Sequence, residues 1–304
     1  MTRAPQNQSL RIILATVALL AMAGATTAAP LFDTRVDCPT GESPVEMASG
    51  DFNWDGHQDL AVTAAVSNNV TILLGRGDGT YESLPPFTTG LFPSGVEAVY
   101  LDGDEYLDLV IACRYGDCVA VHLGNGDGTF AAAVEYSGIA EAVALEAADL
   151  DGDGNVDLIV PDRDYERMVV FRGNGDGTLA APTYLDVQDE PWDVAVADFN
   201  GDLIPDVAVP FFSEQKLRVL LGDGNGGFTF GATVPTSERP GSLATGDFNG
   251  DDIPDLVTTL YHGGTIEVFL GLGGGTFSGG VAYPVGFSTR HVCVADLDGD
   301  LIED

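Results

Sequence analysis

Apolar residues gather along the chain in runs of four to six, separated by turn-forming residues. Asp59-Leu-Ala-Val-Thr63 is one such run, Val70-Thr-Ile-Leu-Leu74 another and Val194-Ala-Val-Ala197 a third. Runs of this length between clusters of Gly, Asp and Asn predict β-strands, and nothing beyond the N-terminal segment sustains a helical period. The runs recur in a fixed order. Asp51-Phe-Asn53-Trp-Asp55-Gly-His-Gln-Asp59 returns as Asp149-Leu-Asp151-Gly-Asp153-Gly-Asn-Val-Asp157, then from Asp198, Asp247 and Asp296, and in damaged form from Tyr100. The starts, 51, 100, 149, 198, 247 and 296, all lie 49 residues apart. A second motif keeps the same step: Gly77-Asp-Gly-Thr-Tyr81, Gly126-Asp-Gly-Thr-Phe130, Gly175-Asp-Gly-Thr-Leu179, Gly224-Asn-Gly-Gly-Phe228 and Gly273-Gly-Gly-Thr-Phe277.

Each unit reads as four short strands. One precedes the acidic loop, one follows it, a third ends at the Gly-Asp-Gly-Thr turn, and the aromatic after that turn opens a fourth, ending near Tyr136 or Tyr184. Four strands in a repeat of about 40–50 residues predict a propeller blade. The expected fold is therefore all-β, a propeller of four-stranded blades, with six or seven blades in the complete protein. A β-helix is the structural competitor, but its coils are usually much shorter. Phe32 lies 19 residues before Asp51, as Phe130 lies 19 before Asp149, so the mature chain is expected to start in phase with a fourth strand. Asp304 falls inside the sixth acidic loop, which leaves about 22 residues of that blade to be expected in a longer natural protein.

The first 29 residues differ from the rest. Arg3 and Arg11 precede an apolar run, Ile12 to Gly24, and small residues follow as far as Ala29. That is the layout of a secretory signal peptide, with cleavage expected between Ala25 and Ala29. The run is shorter than the roughly 20 residues of a spanning helix, and no later stretch could span a membrane as one. Residues 30–304 are thus expected to form one secreted propeller, extracellular or periplasmic. Charge then narrows its partners. With 47 acidic against 12 basic residues the formal net charge is −35, which excludes a nucleic-acid binder that works by phosphate neutralisation. It also argues against docking on anionic membranes.

The fullest acidic loops read Asp-x-[Asp/Asn]-x-Asp-Gly-x-x-Asp. Oxygen ligands at positions 1, 3, 5 and 9, with a backbone carbonyl at 7, suit one hard cation, and calcium tolerates such flexible loops better than magnesium. Three or four clustered carboxylates repel one another without a cation. An EF-hand needs a carboxylate at position 12 and flanking helices, whereas position 12 here is Val62, Val160 or Val209, inside a strand. A calcium β-roll fails because its Gly-rich element recurs every nine residues. The Gly-Asp-Gly-Thr element reads as a tight turn with glycine at positive φ.

These residues resemble the FG-GAP, or VCBS, repeat of integrin α-subunit propellers and many secreted bacterial proteins. The resemblance covers residues 32–304 and rests on Asp-Phe-Asn-Gly-Asp-x-x-Pro-Asp at 198–206 and 247–255 and on Gly-Asp-Gly-Thr-Phe at 126–130. It implies calcium in the loop between the first two strands of a blade. Carried over position by position, the implied ligands are Asp51, Asn53, Asp55 and Asp59, then Asp149, Asp151, Asp153 and Asp157. The next two loops supply Asp198, Asn200, Asp202 and Asp206, and Asp247, Asn249, Asp251 and Asp255. The sixth supplies Asp296, Asp298, Asp300 and Asp304. The implied carbonyls are those of His57, Asn155, Ile204, Ile253 and Ile302. In the second loop Tyr100 and Glu105 replace an aspartate and a glycine, so Asp102, Asp104 and Asp108 are expected to bind weakly or not at all.

No catalytic constellation stands out. His57, His122, His262 and His291 fall in unrelated phases of the unit, and neither a Gly-x-Ser-x-Gly elbow nor a phosphate loop occurs. The loops joining strands two to three and blade to blade share the face opposite the acidic loops. There lie Arg114, Arg163, Arg167, Lys216, Arg239 and Arg290, with Tyr115, Tyr165, Trp192, Phe211, Phe212 and Tyr261. Arginine and aromatics are enriched where proteins bind partners. The leading expectation is a calcium-dependent binding or adhesion module for a carbohydrate or an extracellular protein, monomeric or part of a longer chain. A polysaccharide lyase or glycosidase and a structural domain of a larger surface protein are the alternatives. Cys113 and Cys118 flank a tight turn, Arg114-Tyr-Gly-Asp117, that can oppose their β-carbons for a disulfide. For Cys38 and Cys293 no pairing is assigned.

Overall fold

The computed structural model describes residues 37–304 except 262, 287–288 and 298–301. The expected signal peptide, the Phe32 strand, Asp298 and Asp300 fall outside the described residues. Five four-stranded antiparallel sheets follow one another along the chain. The first holds β1 (Pro44–Gly50), β2 (Asp59–Ala64), β3 (Asn69–Gly75) and β4 (Tyr81–Ser83), with a short β5 (Phe87–Thr88) also on β3. The second holds β6 (Pro93–Val99), β7 (Asp108–Cys113), β8 (Cys118–His122) and β9 (Val134–Ser137). The third holds β10 (Glu146–Ala148), β11 (Asp157–Asp162), β12 (Arg167–Phe171) and β13 (Thr183–Asp186). The fourth holds β14 (Ala195–Ala197), β15 (Asp206–Phe211), β16 (Lys216–Gly222) and β17 (Phe228–Pro235). The fifth holds β18 (Pro240–Gly246), β19 (Asp255–Leu260), β20 (Thr265–Phe269) and β21 (Val281–Pro284). This is a β-propeller, and each sheet is a blade.

The apolar runs are continuous, not alternating, because blades pack face to face. Every residue of β2, β7, β11, β15 and β19 is buried. The outermost strands are the wet ones: β13 and β21 are largely exposed. One hydrophobic cluster fills each junction between consecutive blades. Leu109, Ile111 and Ala120 of the second blade meet Ala61, Val70 and Ile72 of the first, and Phe171 of the third meets Val119 and Val121 of the second. Two further clusters join the third to the fourth blade and the fourth to the fifth.

The fourth strands differ from expectation. Phe130, Leu179 and Phe277 form only isolated bridges, to Gly124, Gly173 and Gly271, and the strand proper begins several residues later. Those side chains pack into the inter-blade clusters. At Tyr81 and Phe228 the strand opens where expected.

A single buried aspartate ties each acidic loop to its blade. The Asp59 carboxylate accepts from Phe52 N–H at 2.9 Å and from Gly75 N–H at 2.7 Å. Asp108 does the same with Leu101 and Gly124, Asp157 with Leu150 and Gly173, Asp206 with Phe199 and Gly222, and Asp255 with Phe248 and Gly271. All five aspartates are fully buried. The carboxylate joins the start of its own loop to the end of the third strand, so loop and sheet fold as one piece.

The last residues begin a sixth unit. Ala295 and Asp304 exchange backbone hydrogen bonds, and Leu297 N–H donates to the Asp304 carboxylate at 3.1 Å, which repeats half of the same clamp. Val292 N–H donates to Ser242 Oγ at 3.3 Å on the fifth blade, while His291 Nδ1 lies 3.5 Å from Glu46 Oε2 on the first. Among the described residues no helix is long and apolar enough to cross a membrane.

The clamp generates a stability prediction. Asp206→Ala leaves three backbone N–H donors, of Phe199, Asn200 and Gly222, without their acceptor and should cost about 2–4 kcal/mol. Urea unfolding checks it, and a midpoint within error of the parent would show that the clamp contributes nothing.

Candidate functional site

Two ends of the propeller carry chemistry. At the first lie the acidic loops, whose folds follow their first aspartate. Asp149 accepts from Gly152, Asp153 and Gly154 N–H at 2.8, 3.1 and 3.0 Å. Asp198 and Asp247 hold the equivalent donors of their loops, and Asp51 holds Asp55 and Gly56. The fifth-position aspartate caps the residue two further on, as Asp153 does Asn155 at 2.8 Å. These rings of donors bring the carboxylates together. Oxygen atoms of Asp149, Asp151 and Asp153 all lie within 4.8 Å of one another. The second loop keeps the Asp104-to-Tyr106 cap at 2.7 Å, but Tyr100 has no carboxylate with which to gather the loop.

The ninth-position aspartates behave unlike the others. Burial pushes the carboxyls of Asp59, Asp157, Asp206 and Asp255 up, and that of Asp108 up to about 6, against the pull of their backbone donors. Neighbouring loop aspartates add to the rise. Two outer aspartates go the other way: hydrogen bonds from His57 N–H and Asn53 hold Asp55 below the usual carboxylate range, and backbone donors led by Asp252 N–H lower Asp247.

The Gly-Asp-Gly-Thr turn has the expected positive φ at both glycines, 71° at Gly175 and 80° at Gly177. It also does something its sequence does not announce. Gly177 N–H donates to Leu101 O on the preceding blade at 3.0 Å, and Gly128 and Gly275 reach Phe52 O and Phe199 O in the same way at 2.9 and 2.8 Å. Each turn is thus fastened to its neighbour's acidic loop. Between the third and fourth blades Arg172 makes the link, pairing with Asp151 at 3.2 Å and donating to Asn225 O.

On the opposite face the cations are mostly committed. Arg114 Nε donates to Glu141 at 2.6 Å, and Arg163 lies 3.4 Å from the same carboxylate. Arg167 pairs with buried Asp162 at 2.8 Å, and Lys216 with Asp189 at 2.5 Å. Glu141 and Asp189 were invisible to sequence reasoning, because one acid among 47 carries no signal until its neighbours are known. Aromatic rings cluster around these groups. Trp192 stacks on Phe212 with centroids 4.9 Å apart, Tyr261 meets Phe212 edge-on at 5.2 Å, and Arg163 and Arg239 lie over Trp192 and Phe212. Tyr115 packs against Phe92. Two expected residues stand apart: Tyr165 stays with Arg167, which also covers Tyr184. Phe211 is a correction. It is fully buried in the cluster between the third and fourth blades, because the last residue of β15 points into the sheet junction and not to solvent.

Arg114, Trp192, Tyr261, Arg290 and His291 line one funnel of about 520 Å3 at this end of the central channel. At the acidic end lies a second cavity of about 630 Å3, bordered by Asp149 and Asp198.

A family model of the FG-GAP-like repeat matches residues 51–111, 100–160, 149–209 and 211–258. The chain belongs to the FG-GAP-like repeat family. No curated protein matches it. Among solved structures the FG-GAP-like propeller is similar to an Agrocybe aegerita lectin that recognises non-reducing terminal N-acetylglucosamine, with 20% identity over 86% of this chain and 74% of the lectin and a TM-score of 0.59. It is also similar to a functionally unknown protein from Desulfotomaculum acetoxidans (13% identity, 82% and 72% coverage, TM-score 0.62). Virginiamycin B lyase from Staphylococcus aureus is a third (11% identity, 80% and 70% coverage, TM-score 0.52). At these identities the likeness is one of fold.

In this FG-GAP-like propeller Cys113 and Cys118 are directly opposed on β7 and β8, both buried. Both are free thiols, so the expected bond is not formed in this structure. They share a hydrogen bond, which makes the Cys113 thiol easier to ionise and the Cys118 thiol harder. Opposed β-carbons on adjacent strands meet the geometry of a disulfide. Mild oxidation of the folded protein should therefore remove two of the four titratable thiols without lowering the melting temperature. Peptide mapping that finds Cys113 still alkylatable after oxidation would refute this.

Proposed function

We propose that the protein is an exported, calcium-stabilised propeller that works as a binding module for a carbohydrate, on the face opposite the acidic loops. The observation that carries the reading is the ring cluster of half-buried Trp192 and Phe212 with exposed Tyr261 beside a small-molecule-sized funnel. Rigid aromatic surface with a few placed polar groups is the usual composition of a small-ligand site. Likeness in fold to a lectin accords with it. The signal-peptide layout of residues 1–29 supports export, into a compartment where Cys113 and Cys118 would pair. The contact of His291 with Glu46 supports closure of the ring at six blades, with the sixth seated between the fifth and the first.

Calcium fits the residues present. Asp149, Asp151 and Asp153 converge, their loop is gathered by its own N–H donors, and hard oxygen ligands are the donor set calcium prefers. Asp51, Asp198 and Asp247 head loops of the same form, with Asn53, Asn200 and Asn249 as the third-position ligands. A bound cation would relieve the repulsion among each loop's carboxylates.

Two measurements test the reading. Excess calcium should raise the melting temperature over that in EDTA, by about 2.7 kcal/mol of stability at a hundredfold excess over Kd. Asp153→Asn should shrink that difference more than Asp104→Asn, and equal melting in calcium and EDTA would end the calcium reading. A glycan array should return binding without turnover; no glycan bound, or bound glycan cleaved, would count against a binding module.

A further inference from the structure

We infer that the funnel opposite the acidic loops receives the carboxylate-bearing sugar of an acidic saccharide, with Arg290 as the receptor for the carboxylate and Tyr261 as the surface against the sugar ring. The inference rests on the carbohydrate reading above and names the class of sugar.

Six inner segments meet at this funnel, and the 49-residue step places one residue of each at the same level: Glu46, Gly95, Ala144, Asp193, Ser242 and His291. Gly95 and Ala144 carry little side chain, so the funnel is open on their side. Its volume of about 520 Å3 holds a small molecule or a chain end.

Charge decides what kind. Of the two acids that line the funnel, Asp193 is already answered. Asp193 is buried and accepts from Val194 and Leu243 N–H, both at 2.9 Å. Glu46 faces His291 at 3.5 Å. Glu141, behind the wall, takes the guanidinium groups of Arg114 and Arg163. Among the lining cations Arg290 is different: it is exposed, and among the described residues it has no ion pair or hydrogen bond. In a chain of net charge −35, an arginine left without a carboxylate at the mouth of a cavity is a vacant anion receptor. Guanidinium matches a planar carboxylate with two parallel hydrogen bonds, which gives direction as well as attraction.

The neighbouring surface is apolar and held in place. Tyr261 is 43% exposed, fixed edge-on against Phe212, and its N–H is anchored to Arg239 O at 3.0 Å. Trp192 forms a stacked wall with Phe212. A pyranose presents a C–H face and a rim of hydroxyls, and a uronic acid adds one carboxylate at its edge. Tyr261 and Arg290 match those two features. The acidity of the rest of the molecule repels a long polyanion, so the site favours a terminal acidic residue over an internal one.

Calorimetry with the full chain tests this, using a glucuronate-terminated oligosaccharide and its glucose-terminated counterpart. The acidic sugar should bind about tenfold tighter than the neutral one, and less tightly as salt rises. Arg290→Ala should erase that preference, and Tyr261→Ala should weaken both sugars; Arg76→Ala, on the outer edge of the first blade, should change neither. Arg290 is exposed, so an unchanged melting temperature will show that its variant is folded. Equal affinity for the two sugars, or an Arg290→Ala protein that keeps the preference, overturns the inference and leaves the binding module standing. Failure of both sugars to bind overturns the inference together with the carbohydrate reading.

Discussion

A carboxylate buried beneath each acidic loop accepts two backbone hydrogen bonds, and much of the remaining structure follows from that arrangement. Removing a carboxylate from water costs several kcal/mol unless donors replace the solvent. Here the donors come from the loop's own second residue and from the end of the third strand, 16 residues onward. One side chain therefore fixes the loop's exit, the end of the hairpin and the spacing between them. The clamp survives in the second loop, where Asp108 still holds Leu101 and Gly124 although Tyr100 has replaced the first aspartate. The clamp and the gathering of loop carboxylates are therefore separable, and only the clamp is common to all five blades.

Because the loops are rigid, they can be used to join blades. The Gly-Asp-Gly-Thr turn of one blade reaches the carbonyl next to its neighbour's first aspartate or its equivalent, so that loop and turn form a second belt outside the inter-blade cores. A third set of links runs along the channel: Glu97 to Ala147 N–H, Asp193 to Leu243 N–H and Ser242 to Val292 N–H. These side chains reach about one repeat ahead each time. Cores, turns and channel together distribute the coupling, which is how a solenoid-like repeat acquires a single ring.

The net charge of −35 is not spread uniformly in its effect. The acidic end concentrates carboxylates, and the opposite end sets arginines and a lysine against selected acids. That pairing commits most cations of the second face to acids, beside ordered aromatic rings and an exposed Arg290. One molecule thereby carries an acidic end and, opposite it, an end of arginines and aromatic rings.

Much of this was legible in the residues alone. The 49-residue step, the four strands and the acidic loops are local patterns, and a repeat multiplies a weak local signal until it is unambiguous. Hydrogen-bond donors two to five residues away gather each intact loop, so Asp149, Asp151 and Asp153 converge as their spacing implies. Other features needed the tertiary structure. Phe211 and Phe212 are neighbours in sequence, yet the pleat buries one in the core and sets the other against Trp192 and Tyr261. Glu141 collects Arg114 and Arg163 from two different blades, and His291 meets Glu46 across 245 positions of chain. Such pairings depend on the angle at which each blade follows the last. Spacing along the chain determines what a blade is, and only the closing of blades around a channel decides which side chains share a site.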